Sequence, residues 1–519
     1  MSDTPDTPDL PPATRDSRLP DEEVPEAPAP DPHDAAAREL LASGLFTGPD
    51  PSIVDDVLAA PDVTEEPLPP DATERALAET EVHRIYTEIL ARAPEHDVQP
   101  SLERVARACE FLGDPHRAYP VIHIAGTNGK TSTARIVERL LREKGLRTGR
   151  FTSPHLLSVR ERIAIDGEPI SPEEFVATWQ EIEPVVAMVD EQSLAAGGPR
   201  LSFFEVFTVM AFAAFAGAPV DVAVVETGMG GRWDATNVVD AAVEILTPIS
   251  RDHERWLGHE LSQIAAEKVG IITRGSTVVS AAQEEEVTAV VQDASHALDA
   301  RLLVDGSDLD VVDRQLGVGG QMLVLRTPAG TYTDVFLPLH GAHQAHNAAL
   351  ALTAVETFFG GGVLDGGVVE QALAAVDSPG RLELVRTSPT VLVDAAHNPA
   401  GVDALREAMN EAFDLTRLIG VVGVMSDKDA ESILAGLEPL LAEVVITRAG
   451  TDRAHDVEDL AEIARDVFDE DRVHVRERLD EAIDLAAARA EYGGATGGAV
   501  LVAGSVILAG EARMLLGRG

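Results

Sequence analysis

The chain has 519 residues, of which 45% are hydrophobic, and carries a formal net charge of −47. This length allows two or three domains with a sizeable core. The strongly acidic balance argues against a general nucleic-acid or membrane-surface binder, so any anion site must be created locally. The longest apolar stretches, near 209–225 and 499–509, are too short or too interrupted to span a bilayer.

Cysteine and lysine are both scarce. Cys109 is the only cysteine, which excludes an intrachain disulfide, and no signal peptide is visible at the N terminus. Both features fit a reducing, cytoplasmic setting. Lys130, Lys144, Lys268 and Lys428 are the only lysines. Because the composition otherwise avoids lysine, each one that is present is a better candidate for a chemical role.

The pattern of the chain changes sharply near residue 77. Residues 1–76 are rich in proline and acidic side chains and lack a periodic apolar pattern, so we expect a disordered tail. Beyond it, helical and strand patterns alternate, which favours an α/β fold with a mainly parallel sheet. The predicted domains are a P-loop-type ATP-binding domain over 77–376, a turn-rich linker over 377–382 and a smaller Rossmann-like domain over 383–519.

Apolar periodicity and turn residues predict the individual elements. The predicted helices cover 78–91, 101–112, 134–144, 202–215, 260–272, 344–359, 401–413, 430–441, 457–468 and 479–491. The predicted strands include 221–225, 243–246, 391–393, 418–424, 444–447 and 499–503. Between them, residues 301–335 predict short strands, with Gly317, Gly319 and Gly320 marking a hairpin.

The segment 121–132, VIHIAGTNGKTS, has the order of a phosphate-binding loop. Apolar residues run into a turn bounded by Gly126 and Gly129, and Lys130, Thr131 and a helical stretch follow. Glycines let backbone N–H groups turn toward oxyanions, and a helix N terminus adds partial positive charge. The lysine is expected on the terminal phosphates and the hydroxyl on Mg²⁺. The glycines are closer together than in the common Walker pattern, but an ordinary turn would not need Lys-Thr.

Further polar residues follow predicted strands. Glu226 stands at the carboxyl end of a buried strand, where ligands of open α/β sheets bind, so we expect it at Mg²⁺ directly or through water. His253 also follows a strand end, although alone such a histidine is more often a loop or core residue than a metal ligand. Ser153 and Lys268 are weak candidates by themselves. Asp394 fits either a ribose acceptor or a turn-initiating aspartate.

Ten stretches together resemble the folylpolyglutamate synthase family, whose bacterial members are often also dihydrofolate synthases and which is related to the Mur ligases. They are 121–132, 151–156, 202–205, 224–237, 252–253, 267–271, 343–351, 379–381, 394–399 and 427–429. The resemblance extends from about residue 78 to the C terminus. The stretches 121–132 and 224–237 are the most specific.

The resemblance implies a three-step ligation. ATP phosphorylates a pteroate or folate carboxylate, the amine of L-glutamate attacks the acyl phosphate, and phosphate leaves. The implied substrates are dihydropteroate, tetrahydrofolates and L-glutamate, with no nucleic-acid or membrane partner. The family resemblance also suggests a monomer.

The resemblance also assigns roles to residues of this chain. For ATP they are Asn128, Gly129, Lys130, Thr131, Asn347, Arg381, Asp394 and His397. Two Mg²⁺ ions are implied, one at Thr131, Ser153 and Glu226 and one at Glu226, His253 and a carbamylated Lys268. Lys130, Glu226, His253 and Lys268 are the implied catalytic residues. The pterin side would use Leu102, Glu103, Arg104, Ser202, Phe203, Phe204, Glu205, Trp233, Asp234 and Ala235.

The sequence departs from the family pattern at two places, and two alternative functions of the chain are also considered. Thr131 replaces a glycine often found after the lysine, and Ser250-Arg251 is not the commonest pair before His253. A Mur-type ligase of a cell-wall precursor would be favoured by an N-terminal nucleotide-sugar domain, and none is apparent. A catalytically silent nucleotide-binding protein predicts loss of Glu226, His253 or Lys268, yet all three are present.

Overall fold

The computed structural model describes residues 70–92, 101–492 and 497–518. In these ranges the helices are α1 (Pro70–Leu90), α2 (Glu103–Phe111), α3 (Lys130–Glu143), α4 (Pro172–Ala195), α5 (Phe203–Gly217), α6 (Glu254–Leu257), α7 (Leu261–Lys268), α8 (Glu285–Ala297), α9 (Ala342–Phe358), α10 (Gly366–Ala374), α11 (Pro399–Ala412), α12 (Ala430–Leu437), α13 (Val457–Val467), α14 (Leu479–Ala490) and α15 (Val506–Leu515). The strands are β1 (Val121–Ala125), β2 (Thr148–Phe151), β3 (Ile163–Ile165), β4 (Glu168–Pro169), β5 (Val222–Glu226), β6 (Val243–Leu246), β7 (Thr277–Ser280), β8 (Arg301–Val304), β9 (Asp310–Gly317), β10 (Gly320–Arg326), β11 (Thr331–Leu337), β12 (Glu383–Thr387), β13 (Thr390–Val393), β14 (Arg417–Val422), β15 (Glu443–Ile446), β16 (Val473–Val475) and β17 (Gly498–Ala503).

The first sheet has eight strands in the order β4-β3-β2-β5-β1-β6-β7-β8. The six strands from β2 to β8 in this order are parallel, and β3 and β4 form an antiparallel edge. Every residue of β1 and β5 is buried. Near-continuous apolar strands of this kind are typical of parallel sheets covered on both faces. The mainly parallel sheet predicted from the alternating pattern is confirmed.

The strand register brings the expected ligand-binding segments to one edge of this sheet. Ile124 of β1 pairs with Glu226 of β5, and Ala125 pairs with Leu246 of β6. Because the three strands are parallel, their carboxyl ends meet at this edge, where ligands of open α/β sheets bind. The loop after Ala125, the Glu226 side chain and the segment after Leu246 therefore share one surface.

A small antiparallel sheet, β11-β10-β9, follows in the chain. Gly317 pairs with Gly320, and Gly319 has a φ of 76°, so the hairpin predicted from these glycines is confirmed. One apolar cluster joins this sheet to the first sheet through residues of α3 and α9, among them Leu140 and Leu350. The phosphate-loop helix α3 is therefore packed from several sides.

The second large sheet has the order β12-β13-β17-β14-β15-β16, and all its strands except β12 are parallel. Helices α11 to α15 accompany it, and apolar clusters lie on both of its faces. This arrangement confirms the predicted second, smaller α/β sheet of Rossmann type. The domain boundaries at 376 and 382 stay predictions.

Two helix starts differ from the predictions. α3 begins at Lys130 rather than near 134, because Gly129 adopts a φ of 87° and lets the helix begin directly after the loop. α1 begins at Pro70, inside the segment predicted as tail. Proline is favoured at a first helical position, where its missing N–H is not needed. The rest of the predicted tail, 1–69, lies outside the described residues.

Five helices, α4, α6, α8, α10 and α15, have no counterpart among the predicted elements. In α4 the interior Pro184 interrupts the helical pattern, although Ser171 and Glu174 form a capping box and Pro172 occupies the first turn. α15 begins within the last apolar run of the chain and was obscured by it. No helix in the described ranges is long and apolar enough to cross a membrane.

Candidate active site

The glycine loop between β1 and α3 is held in one conformation by its neighbours. Gly126 has a φ of 146°, and the N–H groups of Thr127 and Asn128 donate to the carbonyl of Pro248 at 2.9 and 3.3 Å. These two N–H groups are thus engaged within the protein rather than turned toward an anion. The donors left for a phosphate are those of the α3 N terminus, which an α-helix cannot satisfy internally.

Gly126 offers a direct test of this packing. A Cβ at this position would lie 1.9 Å from Thr247 Oγ1 and 2.9 Å from the Thr247 carbonyl oxygen, so Gly126→Ala should displace the loop. We expect a loss of about 1–3 kcal/mol in the free energy of unfolding, together with weaker nucleotide binding. Thermal melts and nucleotide titration measure both effects.

Gly145 provides a matched control for backbone strain alone. It has a φ of 83°, and a Cβ there would meet no atom within 4 Å. Gly145→Ala should therefore cost only the positive-φ strain of about 1–2 kcal/mol and leave nucleotide binding unchanged. Equal nucleotide binding by the two variants would contradict the role of the Gly126 contact.

Two lysines meet at the carbonyl of Gly126. Lys130 Nζ donates to the Gly126 and Thr127 carbonyls at 3.2 and 3.1 Å, and Lys268 Nζ donates to Gly126 at 2.7 Å. Lys268 is buried, and burial together with the charge of Lys130 lowers the pKa of Lys268 to about 7. The sheet edge therefore combines a cation on the loop with an amine that is neutral above about this pH.

Glu226 faces the start of α3 from the end of β5. The side chain is 2% exposed, and its two carboxylate oxygens accept hydrogen bonds from Thr131 Oγ1 at 3.1 and 2.9 Å. Burial raises the pKa of Glu226, partly offset by Lys130, Thr131 and the backbone N–H of Ser153. A buried carboxylate with adjacent hydroxyls is a donor set that fits Mg²⁺, which takes one or two carboxylates and completes its shell with water and phosphate.

The second predicted metal set is only partly formed. In the described residues, no three His, Cys, Asp or Glu side chains form a group that could hold a metal ion. His253 is partly exposed in a left-handed conformation, and desolvation lowers its pKa to about 3, which keeps the imidazole neutral as a ligand must be. Lys268 would become an oxygen ligand only as a carbamate.

Four side chains connect the first sheet to the second across this edge, and we call them the Asp252 clasp. The members are Asp252, Lys428, Asn128 and Asn398. Lys428 Nζ contacts Asp252 Oδ1 at 2.5 Å, and Asn398 Nδ2 donates to Asp252 Oδ2 at 3.0 Å. Asn128 and Asn398 exchange amide hydrogen bonds at 3.2 and 3.1 Å. The glycine loop is therefore tied directly to the segment after β13.

Asp252 is the charged centre of the clasp. Asp252 and Lys428 are 7% and 9% exposed, respectively. Although burial opposes ionisation, the adjacent His397 ring and the charge of Lys428 hold the pKa of Asp252 well below its usual range. His397 Nδ1 lies 2.9 Å from the Ala395 carbonyl, which leaves Nε2 directed at Asp252, 3.7 Å away.

The residues expected on the rest of ATP lie around the same loop. A Cβ on Gly129 would lie 2.7 Å from Asn347 Oδ1, so the start of α9 is in contact with the loop. Asp394 is buried and Arg381 is partly buried, and Arg381 opposes the burial-driven rise in the pKa of Asp394. The Asp394 carboxylate accepts the N–H groups of Leu382 and Ala396 at 2.8 and 2.7 Å. The Asp394 carboxylate therefore stabilises the end of the predicted linker, in addition to any contact with a ligand.

The residues expected on the pterin side come together at the N termini of α2 and α5. Arg104 forms an ion pair with Glu205 at 2.8 Å, and Glu205 also forms a capping box with Ser202. Phe204 packs over Gly228 and lies 5.6 Å from the ring of Phe151. The turn Ala235–Val238 contacts both helices.

Several members of this set have structural partners of their own. Asp234 accepts the N–H groups of Met229 and Thr236 at 2.8 and 3.0 Å and caps the turn after it. Trp233 packs near Gly230. Leu102 precedes α2, Glu103 in its first turn is exposed, and Phe203 is fully buried against Phe207. The geometry therefore favours Phe204 among these residues, and Arg104 could contact a ligand only alongside its ion pair with Glu205.

Asp252, Lys428 and Asn398 were not among the predicted site residues. A signal was present in each case, since 252–253, 394–399 and 427–429 belong to the stretches that resemble the family, and Lys428 is one of only four lysines. What sequence could not supply is the pairing itself, because Asp252 and Lys428 are separated by 176 positions.

Comparison with known proteins places these features in a family. Residues 380–506 match the family model described as Mur ligase, glutamate ligase domain. The chain is 52% identical over 450 residues to the dihydrofolate synthase/folylpolyglutamate synthase of Mycobacterium tuberculosis, covering 82% of this chain and 92% of that one. The chain belongs to the folylpolyglutamate synthase and dihydrofolate synthase family. The family predicted from the sequence motifs is confirmed.

Solved structures of this family have the same fold. The M. tuberculosis folylpolyglutamate synthase complexed with ADP and AMPPCP aligns with a TM-score of 0.81 at 50% identity, covering 86% of this chain and 99% of that one. The E. coli enzyme FolC in complex with DHPP and ADP aligns with a TM-score of 0.71 at 27% identity, covering 87% and 99%. Coverage of this extent places both large sheets within each alignment.

Proposed function

We propose that this chain is an ATP-dependent ligase that joins L-glutamate to folates through an acyl phosphate, and that it also accepts dihydropteroate. The observation that carries the proposal is the sheet edge itself, where a phosphate loop, a buried carboxylate and the clasp to the second sheet meet. Relatives named dihydrofolate synthase/folylpolyglutamate synthase, and the ADP complexes of family members, support the assignment.

The reaction needs a pocket that gathers negative charge and excludes water. A carboxylate oxygen of the acceptor attacks the γ-phosphorus of ATP and ADP leaves; the glutamate amine then attacks the acyl carbon, and phosphate leaves with that oxygen. Lys130 and the α3 N terminus are placed to neutralise the phosphates. The clasp would hold the second sheet over the loop, so that the acyl phosphate reacts with the amine rather than with water.

Thr131, Ser153 and Glu226 would hold a first Mg²⁺, and Glu226, His253 and carbamylated Lys268 a second. When bound, such ions supply charge neutralisation at the transferring phosphoryl group. Asn128, Gly129, Asn347, Arg381, Asp394 and His397 would surround the nucleotide. Phe204 would lead the pterin contacts, together with Arg104 and the other residues of that set. We also propose a monomeric, cytoplasmic enzyme, as the resemblance and the single cysteine suggest.

The state of Lys268 gives a pH-dependent prediction. Burial and Lys130 lower its pKa to about 7, so the amine becomes neutral as the pH rises through this value. Only the neutral amine adds to CO₂, forming an N–C bond and releasing a proton to solvent. We expect ¹³C-bicarbonate to give a carbamate NMR signal several-fold stronger at about pH 8 than at about pH 6, on either side of that pKa.

Lys268→Met should abolish this carbamate signal and lower ligase activity. Lys144→Met is the matched control, since Lys144 lies after α3 and packs over Phe359, 5.5 Å from the ring centroid. A carbamate signal that persists in Lys268→Met would contradict the assignment.

Substrate range is tested by supplying acceptors separately. The purified chain would be incubated with ATP, Mg²⁺, L-glutamate and either dihydropteroate or a tetrahydrofolate. The masses of the products would then be measured by mass spectrometry. A product heavier by one glutamyl unit from both acceptors supports the bifunctional proposal. Product from tetrahydrofolate alone restricts it to polyglutamylation. Nucleotide binding without product from either acceptor would overturn the proposal.

A further inference from the structure

A cavity of about 560 Å³ between α3 and the last helix is lined by an unusual number of cations. We call it the arginine pocket. Six arginines line it, namely Arg135, Arg139, Arg142, Arg150, Arg513 and Arg518. The chain as a whole has a net charge of −47, so this concentration of positive charge runs against the overall composition.

The arginines come from distant parts of the chain. Arg135, Arg139 and Arg142 are spaced at i, i+4 and i+7 on α3, which places them on one face of the helix. Arg513 lies near the end of α15 and Arg518 just after it, while residues 375–379 complete the wall from the linker side. The pocket is therefore built jointly by the phosphate-loop helix, the linker and the C-terminal helix.

Carboxylates pair with four of the six arginines, and four carboxylates line the pocket itself. The four that line it are Glu138, Glu161, Glu168 and Asp377. Glu161 is occupied by backbone N–H groups of residues 156, 157 and 158 at 2.9, 3.0 and 2.8 Å. Asp377 contacts Arg135 at 3.2 Å but is 79% exposed, so that pair is weak. Arg139 and Arg513 are also paired, with Glu143 at 2.6 Å and with Glu383 at 2.7 Å. Arg142 and Arg518 are therefore the lining arginines without a carboxylate partner in the described part of the chain.

Two arginines keep donors available toward the cavity, and a third, Arg150, has an unpaired Nε that is itself enclosed by protein. Arg150 is buried in an ion pair with Glu138 at 2.8 Å, yet its Nε has no hydrogen-bond partner in the described part of the chain. Arg142 has no carboxylate within ion-pair distance among the described residues, and its guanidinium packs against Gly167. Arg518 donates to the Val385 carbonyl at 3.4 Å and is exposed. Planar guanidinium groups with free N–H donors match carboxylate and phosphate oxygens in pairs.

We propose that the arginine pocket binds a small polyanion bearing two or more phosphate or carboxylate groups. Its volume lies in the range of small-molecule sites, and its converging guanidinium groups supply the recognition. This site is distinct from the phosphate loop, because its arginines lie further along α3 and on other elements. The occupant would contact α3, the linker and α15 at once, and so would stabilise the folded chain.

The test measures binding with the phosphate loop already filled. The full-length chain, saturated with a non-hydrolysable ATP analogue and Mg²⁺, would be titrated calorimetrically with pyrophosphate and, separately, with tri-γ-glutamate. We expect one further equivalent of at least one probe to bind. In Arg142→Gln/Arg518→Gln the Kd should rise at least tenfold, as expected when two charge-assisted hydrogen-bond donors are removed.

Arg274→Gln is the matched control, because Arg274 pairs with Asp299 on an exposed surface and neither residue lines the pocket. Its Kd should equal that of the unmodified chain, and circular dichroism melts verify that all variants are folded. Arg142→Lys keeps the positive charge but loses the planar pair of guanidinium N–H donors, so it should give an intermediate Kd. Selective binding of pyrophosphate identifies a phosphate ligand, and selective binding of tri-γ-glutamate a carboxylate ligand. Binding of neither probe, or equal binding by the double variant, would overturn the proposal.

Discussion

Lys130→Met should lower the rate of ATP-dependent ligation by about 10²- to 10³-fold, the usual effect of removing one charged donor from a developing oxyanion. Lys130 Nζ rests on the carbonyls of Gly126 and Thr127, so the side chain is held at the loop by hydrogen bonds that a phosphate can replace. The fold should be little affected, because the substitution removes only these two hydrogen bonds from the side chain. Steady-state kinetics with glutamyl product detection measures the effect.

Lys144→Met serves as the control for removing a lysine from this acidic chain. Lys144 follows the last residue of α3 and packs over the ring of Phe359. Its loss should change the rate by less than about twofold, as expected for an exposed cation. A Lys130→Met enzyme that retains full activity would mean that the loop does not bind the reacting phosphates.

Lys428→Met should have the second large effect, through the clasp. Removal of the lysine leaves Asp252 buried without its charge partner, which typically costs about 3–5 kcal/mol. The cost falls on the contact between the two sheets, since Asp252 precedes His253 on one side and Lys428 follows β14 on the other. We expect kcat to fall by about 10²-fold through misplacement of reacting groups, with a smaller change in nucleotide affinity.

A double variant separates the ion pair from a general loss of structure. Asp252→Asn/Lys428→Met removes both charges of the pair, so neither is left buried without its partner. Its kcat should be at least tenfold higher than that of Lys428→Met. Asp427→Asn is the neighbouring control, because Asp427 contacts Arg453 at 3.2 Å on a half-exposed surface. It should stay within about threefold of the unmodified rate. A double variant no better than Lys428→Met would refute the charge-pairing account.

The parts of the fold that follow local patterns were predictable from sequence. Four of the six strands of the second sheet and its helices α11 to α14 were predicted at nearly their observed bounds, because their apolar runs are short, regular and bounded by turn residues. The strands β12 and β16 were not predicted. The phosphate loop was predicted for a chemical reason, as glycines followed by Lys130 and Thr131 have few other uses. α3 was predicted about a turn too late, because its first turn is polar and only Gly129 shows where it begins.

The parts of the site that depend on distant pairings were not predictable from one sequence. The clasp joins 128, 252, 398 and 428, and no local spacing relates them. The arginine pocket likewise needs α15 to lie beside α3, and α15 itself was hidden in an apolar run. The hydrogen bonds from the loop N–H groups to the Pro248 carbonyl were also not predictable, because every residue has a backbone carbonyl and the sequence does not show which one accepts.

The central claim is glutamyl ligation through an acyl phosphate at this sheet edge, and oxygen-isotope transfer tests it most directly. A tetrahydrofolate whose reacting carboxylate carries ¹⁸O at both oxygens would be turned over with ATP, Mg²⁺ and L-glutamate. We expect one ¹⁸O in each phosphate released and one glutamyl unit added per ATP consumed. Phosphate without label, or ATP hydrolysis without glutamyl product, would contradict the account.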